Sequence, residues 1–493
     1  MLCSLVVGII LARILGPKPY GQVILASTIY GFINLFVDGG LSQALIQKQA
    51  LEERDVRKAF SWQVAIALKA TAVVYLLAPW IARSFHDSSA TRVIQAMSGM
   101  IAIQSIGLVS AALLRRRMQF RVIQCAAVAS YAVAFVGVGI PLALHGAGVW
   151  SLVAAALCQC LLNAILLYSA TRHSLVPNFG LPDRSMVTYG GTIVVNNLVN
   201  WGHSNLDNLA AAQLGLVPLG LYGRAYSFAY QPVSAVTTGL QSVLASSAAK
   251  AQERQREMGK LTLCLMAVVL GVLGCAYAIC AFIPETTLVG LFGEKWRGLV
   301  PLMLPLAIAM PLHGIHCLLG PILCGLGKPH FEFWPEAISC ATAAVALFAA
   351  ARISLLAIAW TLLGVTILRF VLLATCTFRF LGIGWGKASL IFARRIGFAV
   401  AFGWIVWSAD EILRAPFHLE AAPRLATLAA FSALGMGWMV WYAGEIVFGH
   451  DAIRFLLGYA EFLPTSYVKQ LRIQGRRLPA PAFGSSQPTE AAG

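Results

Sequence analysis

Thirteen long apolar stretches run end to end along this chain, at roughly 20–45, 60–82, 93–114, 122–143, 149–170, 187–213, 219–244, 261–283, 299–325, 333–350, 354–378, 393–409 and 425–448, and Met1 to Leu15 makes a shorter fourteenth. A helix needs about 20 apolar residues to cross about 30 Å of hydrocarbon, so nearly every stretch is long enough. Only helices and closed barrels satisfy their backbone groups inside a bilayer. The runs are too long and too uniformly apolar for barrel strands, which alternate. With 59% hydrophobic and 11% charged residues and a mean hydropathy of +0.76, the sequence predicts an all-α polytopic membrane protein of about 14 transmembrane helices. The first stretch lacks the charged flank that anchors a helix and is expected to be a truncated first span. A signal peptide is disfavoured, because no small-residue cleavage site precedes a soluble domain.

One hairpin occurs twice. Leu15-Gly16-Pro17-Lys18-Pro19-Tyr20-Gly21 returns as Leu214-Gly215-Leu216-Val217-Pro218-Leu219-Gly220, and Gly40-Leu41 against Gly239-Leu240 keeps the same offset. A looser pair, Arg117-Met118-Gln119-Phe120 and Lys328-Pro329-His330-Phe331, follows later. Internal duplication in a membrane chain predicts two related bundles around a central cavity. The expected units are an N-terminal six-helix bundle over 1–172, a linker over 173–186 broken by Pro177 and Gly180, a second six-helix bundle over 187–380, two added helices over 381–448, and a tail over 449–493. An even number of spans per half relates the halves by an axis along the membrane normal. The tail carries an amphipathic stretch from Ile453 to Tyr459, expected to lie on the membrane surface, and a Pro/Ser/Ala-rich end expected to be disordered.

Net charge is +16, and its distribution argues for topology. Of the 36 Lys and Arg residues, 24 fall on one set of alternate loops and 9 on the other, leaving Lys69, Arg224 and Arg369 inside spans. The positive-inside rule then places both termini in the cytoplasm, and nucleic-acid binding is not expected. The 11 cysteines are scattered through apolar segments and read as packing residues. His313, His316 and Cys317 share one helix with no acidic neighbour in sequence, so no metal site and no cofactor is expected.

A specific set of short motifs carries a family resemblance. Ala12-Arg13-Ile14-Leu15-Gly16-Pro17 with Tyr20-Gly21, Asp38-Gly39-Gly40-Leu41-Ser42, Leu206-Asp207-Asn208, Leu219-Gly220-Leu221-Tyr222 with Arg224-Ala225-Tyr226, and Leu291-Phe292-Gly293-Glu294-Lys295-Trp296 resemble the polysaccharide transporter family, repeat-unit flippases of the superfamily that includes MATE exporters and the lipid II flippase. The resemblance covers nearly the whole chain up to the last two spans. It implies a MATE-like fold and a substrate of undecaprenyl-pyrophosphate-linked oligosaccharide moved to the outer leaflet of the bacterial inner membrane. The short first helix departs from the family pattern.

Ionisable groups inside spans cost about 2.5–3.5 kcal/mol each and usually face a cavity or a partner. Asp207 and Arg224 lie at similar distances from the turn near Leu216, and Asp38 and Lys69 from the loop near Glu52. Each couple is expected to pair, either as a fixed tie or as a gate or ion-coupling site. Arg13, Arg224 and Arg369 are the candidate anion contacts, since guanidinium matches phosphate oxygens bidentately; Arg13 and Arg369 are also placed to snorkel to an interface. Asn197, Asn200, Ser204, Asp207 and Asn208 form one polar stripe at helical spacing, with Trp201 beside it, and the stripe is the expected wall for sugars. The chain shows no phosphate loop or catalytic constellation, so it reads as no enzyme. The alternatives are a drug or cation antiporter on the same fold and, behind it, a membrane polymerase or ligase, which the short external loops disfavour. A coupling proton or sodium ion and polysaccharide assembly proteins are the partners such a transporter would use.

Overall fold

The computed structural model describes residues 2–414 apart from 49, 86, 181–183, 251–254 and 329, together with 427–428; of a few others, chiefly 184–193 and the last turns before 251, it describes the backbone alone. The fourteenth span expected at 425–448, apart from residues 427–428, and the tail therefore lie outside the described residues.

All described secondary structure is helical. The first half comprises α1 (Leu2–Ile14), α2 (Pro17–Asp38), α3 (Leu41–Gln47), α4 (Glu53–Ser84), α5 (Thr91–Arg116), α6 (Phe120–Tyr131), which continues through a π-helical stretch into α7 (Ile140–Leu144), and α8 (Val149–Thr171). An extended segment leads to α9 (Arg184–Ala212), α10 (Leu216–Lys250), α11 (Gln255–Phe282), α12 (Pro284–Phe292), α13 (Val300–Gly325), α14 (His330–Ala351), α15 (Leu355–Leu381) and α16 (Trp385–Arg414). Among the described residues 10 helices are long and apolar enough to cross a membrane. The long, more polar α9 and α10 are not among them, and α1 has only 13 residues.

The stretch expected as one span at 20–45 is two helices. Gly39 and Gly40 both take positive φ, 51° and 71°, and Gly39 caps α2 by donating its N–H to Leu35. Left-handed backbone is the conformation glycine tolerates best, so α3 turns away as a short separate helix.

Helices α1 to α8 pack chiefly on one another, as do α9 to α16; α2 bridges the two sets by lying against α9 and α10. The duplicated motif makes this bridge. Helices α2 and α10 start at Pro17 and Leu216, equivalent places in the two copies. Gly21 and Gly220 are both buried, and a Cβ on either would meet the other helix's backbone, at the Leu216 carbonyl or the Pro17 carbonyl respectively. Close helix contact through small residues is the ordinary way apolar helices associate in lipid. At the same end Lys18 pairs with Asp87 at 3.0 Å. The Ser89 hydroxyl and then Lys18 hold the Asp87 carboxyl below its usual range. That tie is thus in place at neutral pH and lost as acid brings the pH through the lowered value.

Candidate functional site

Just inside the glycine crossing, at the end where α2 and α10 begin, the two helix sets are joined by hydrogen bonds. The Trp296 indole N–H donates to the Ala12 carbonyl at 2.8 Å, and Arg13 Nε to the Leu291 carbonyl at 2.7 Å. Arg13 Nη2 reaches the Gly290 carbonyl, and Lys295 Nζ the Ile14 carbonyl at 3.3 Å. Trp296 is fully buried, edge-on to Tyr20 at 5.4 Å. Two sequence motifs separated by about 280 residues are therefore each other's partners. The exposed Arg13 guanidinium is held by helix-end carbonyls, where a cation is favoured. Replacing Trp296 with Ala removes a full ring and the Ala12 hydrogen bond. The expected cost is about 3–5 kcal/mol, seen as a lower thermal midpoint for the purified protein, whereas Trp296→Phe should cost clearly less.

One helical turn past Gly220 stands Arg224. Its guanidinium carbon lies 4.7 Å from the Phe292 ring centre and 5.5 Å from that of Tyr20, both cation–π distances. Among the described residues it has no carboxylate partner, and its buried Nε has no hydrogen bond. The expected pair with Asp207 does not form. Asp207, 1% exposed, accepts from the Tyr222 hydroxyl at 2.9 Å and the Asn208 N–H at 2.8 Å. Tyr222 and Arg224 are two positions apart, about 200° around the helix, so a carboxylate facing one turns its back on the other.

Asp38 and Lys69 also stay apart. Asp38 accepts from Ser42 at 2.5 Å and Gln63 at 3.2 Å, while Lys69 is exposed. Gln63 precedes Lys69 by six residues, about 9 Å along α4, and takes the place expected for the lysine.

The polar stripe on α9 divides. Asn200 and Ser204 are exposed, Asn197 and Asn208 half-buried, and Asp207 buried. Trp201 leans on Phe32 of α2 at 4.9 Å and touches Gly31. Along the seam where α2, α9 and α10 meet, four buried polar atoms have no hydrogen-bond partner among the described residues: Asn34 Oδ1, Trp201 Nε1, Asn208 Oδ1 and Arg224 Nε. Leaving such a group unpaired costs about 1–3 kcal/mol, and buried polar groups are nearly always satisfied.

Arg369 has a carboxylate partner. Its Nε and Nη2 grip Glu336 of α14, at 2.9 and 2.7 Å from Oε2. His316 Nε2 lies 2.8 Å from Glu336 Oε1 and His203 Nε2 3.2 Å from Oε2. The acidic partner that His316 lacks in sequence comes from another helix. Glu336 was legible as an ionisable residue within the apolar stretch 333–350, and the sequence reading passed over it. Removing it strands Arg369, so Glu336→Leu is expected to cost about 3–5 kcal/mol. The double change Glu336→Leu with Arg369→Met should recover part of that, read as thermal midpoints.

The sequence profile of the polysaccharide biosynthesis protein family matches residues 10–301. The succinoglycan biosynthesis transport protein ExoT of Rhizobium meliloti (strain 1021) is 28% identical over 332 residues, 66% of each chain. The teichuronic acid biosynthesis protein TuaB of Bacillus subtilis (strain 168) is 23% identical over 354 residues, 69% of this chain and 71% of that one. The match to ExoT thus spans a little under two thirds of that relative's length. In fold, the chain is similar to the lipid II flippase MurJ in an inward closed conformation, with a TM-score of 0.71 at 10% identity over 90% of this chain and 98% of that one. An inward-facing MATE multidrug transporter follows at 0.59 and 15% identity, over 80% and 95%.

Proposed function

The chain belongs to the polysaccharide biosynthesis protein family, and from that membership we propose that it is a flippase carrying lipid-linked oligosaccharide across the bacterial inner membrane by alternating access. Residues 1–172 and 187–380 are the two bundles that rock about the α2, α9 and α10 seam, with both termini in the cytoplasm. On this orientation the Gly21–Gly220 crossing and the Trp296 ties close the outer face, and cargo enters from the cytoplasmic side.

The observation that carries the reading is Arg224, a half-buried guanidinium without an acidic partner among the described residues. Burying a lone cation is unfavourable unless an anion completes it, and a pyrophosphate linking lipid to sugar is such an anion. Asn200, Ser204 and Asn208 offer hydrogen bonds to sugar hydroxyls, and Trp201 an aromatic edge. A cation antiporter would want a free acid at this place, and Asp207, the acid expected there, is sealed behind Tyr222.

A clean deletion strain tests the function. The reading predicts loss of surface polymer, accumulation of lipid-linked repeat units, and recovery on complementation. Unchanged polymer with new sensitivity to cationic drugs would move the assignment to an antiporter.

A further inference from the structure

The cluster around Glu336 has a chemistry of its own. Four helices converge on one carboxylate, α9 through His203, α13 through His316 and α15 through Arg369, with Glu336 itself on α14. Glu336, His203 and His316 all have side chains at most 10% exposed. Beside them lies a cavity of about 30 Å³ whose lining includes His203, Tyr226, His313 and Arg369. A water needs about 10–15 Å³ on this measure, so the cavity can bring one or two waters to His203.

His316 Nε2 faces the carboxylate and therefore carries the hydrogen of a neutral ring. That leaves Nδ1 as a bare lone pair, buried and without a hydrogen-bond partner. The groups around it are weak acids or already engaged. Tyr226 and Tyr230 approach from α10, the latter with its ring 5.7 Å from His313. Tyr277 of α11 donates to the Ala229 carbonyl. On α13 itself His313 Nε2 is 3.5 Å from the Cys317 sulfur, and on α14 Glu332 accepts from Cys324 at 2.9 Å. Glu336 is the only carboxylate in contact with the imidazoles among the described residues. A metal ion does not fit: Arg369 already occupies the carboxylate, and no group of three or more His, Cys, Asp or Glu among the described residues is placed to hold one.

We propose that this cluster is a proton-binding site, in which His316 becomes imidazolium and competes with Arg369 for Glu336. The proposal rests on the reading of two bundles that open alternately. With the guanidinium at 2.7 Å the carboxylate is already neutralised, and a second cation in that dry space is disfavoured. When α15 shifts against α14, the carboxylate needs a replacement cation, and His316, protonated at its free Nδ1, supplies it. Binding and conformation are then linked, so acid favours the arrangement in which Arg369 is released.

Two measurements on the purified full-length chain in lipid nanodiscs test this without any cargo. The first follows exchange of the imidazole C2 hydrogen with deuterated solvent across a pH series by mass spectrometry, with exposed His145 as reference. His316 is expected to take up a proton within the acid part of the series, and Arg369→Gln, which removes the competing cation, to raise its midpoint. The second follows spin-label distances across the Trp296 end. Acidification from about pH 8 to about pH 5.5 should change the ratio of the two conformations at least about fivefold, and His316→Gln should abolish the change. A His316 that stays neutral down to about pH 5 in both wild type and Arg369→Gln overturns the proposal. So does a conformational response to sodium with none to pH. Neither readout depends on export, so a failed deletion phenotype would revise the cargo and leave the proton site standing.

Discussion

Arg224→Gln should lower export of lipid-linked oligosaccharide by roughly 100-fold while leaving the chain folded and membrane-inserted. The size follows from two charge-assisted hydrogen bonds to phosphate, each worth about 1.5–3 kcal/mol, against 1.36 kcal/mol for every factor of 10. The separation of activity from stability is the discriminating part. A guanidinium held by an acid would cost several kcal/mol to remove, because the acid would be stranded. Arg224 strands nothing when it leaves. Only its contacts with Phe292 and Tyr20 are lost, about 0.5–2 kcal/mol, and the orphaned Nε goes with them. Thermal midpoint and membrane level should stay close to wild type, and Arg224→Lys should keep part of the activity as a point charge without the fork. A large fall in stability with proportionate loss of export would instead make Arg224 a packing residue.

Gly21→Val and Gly220→Val should each open the outer face and stop the cycle. A branched side chain at either position meets the partner helix backbone, which cannot swing aside as a side chain can. Forced overpacking costs about 1–3 kcal/mol, equivalent to shifting a two-state equilibrium by roughly 5- to 150-fold. Spin labels flanking the crossing should report a longer distance, and export should fall by a comparable factor. Glycine-to-serine changes should have smaller effects of the same sign. Unchanged distances in both valine variants would mean that the crossing is not the element that closes this end.

How far these sites were legible in the sequence depended on whether spacing alone settles the geometry. The apolar runs gave the helices because span length follows from bilayer thickness, and the offset repeat located Gly21 and Gly220 because equivalent positions in related halves meet near the axis between them. The motifs around Arg13 and Trp296 were visible, but that they bind each other was not, since nothing local links residues so far apart. Matching depth from a turn proposed Asp207 with Arg224 and Asp38 with Lys69. Depth fixes one coordinate and leaves the rotation of each helix open, and rotation gave Asp207 to Tyr222 and Asp38 to Ser42 and Gln63. Glu336 illustrates the same gap from the other side. Its three nitrogen partners come from three other helices, so no window of sequence contains the site, and the two histidines on α13 read as isolated. The break at Gly39-Gly40 was written in the sequence as adjacent glycines, and the apolar residues on both sides concealed it.

A chain that moves lipid-linked oligosaccharide from one leaflet to the other changes where that lipid resides. Spheroplasts with and without the chain, and with Arg224→Gln, would be treated with a membrane-impermeant sugar oxidant, and the oxidised fraction of extracted lipid-linked oligosaccharide compared with the total. The reachable fraction should fall to background without the chain or with the variant while the total pool rises. An unchanged reachable fraction in cells lacking the chain would contradict the flippase reading.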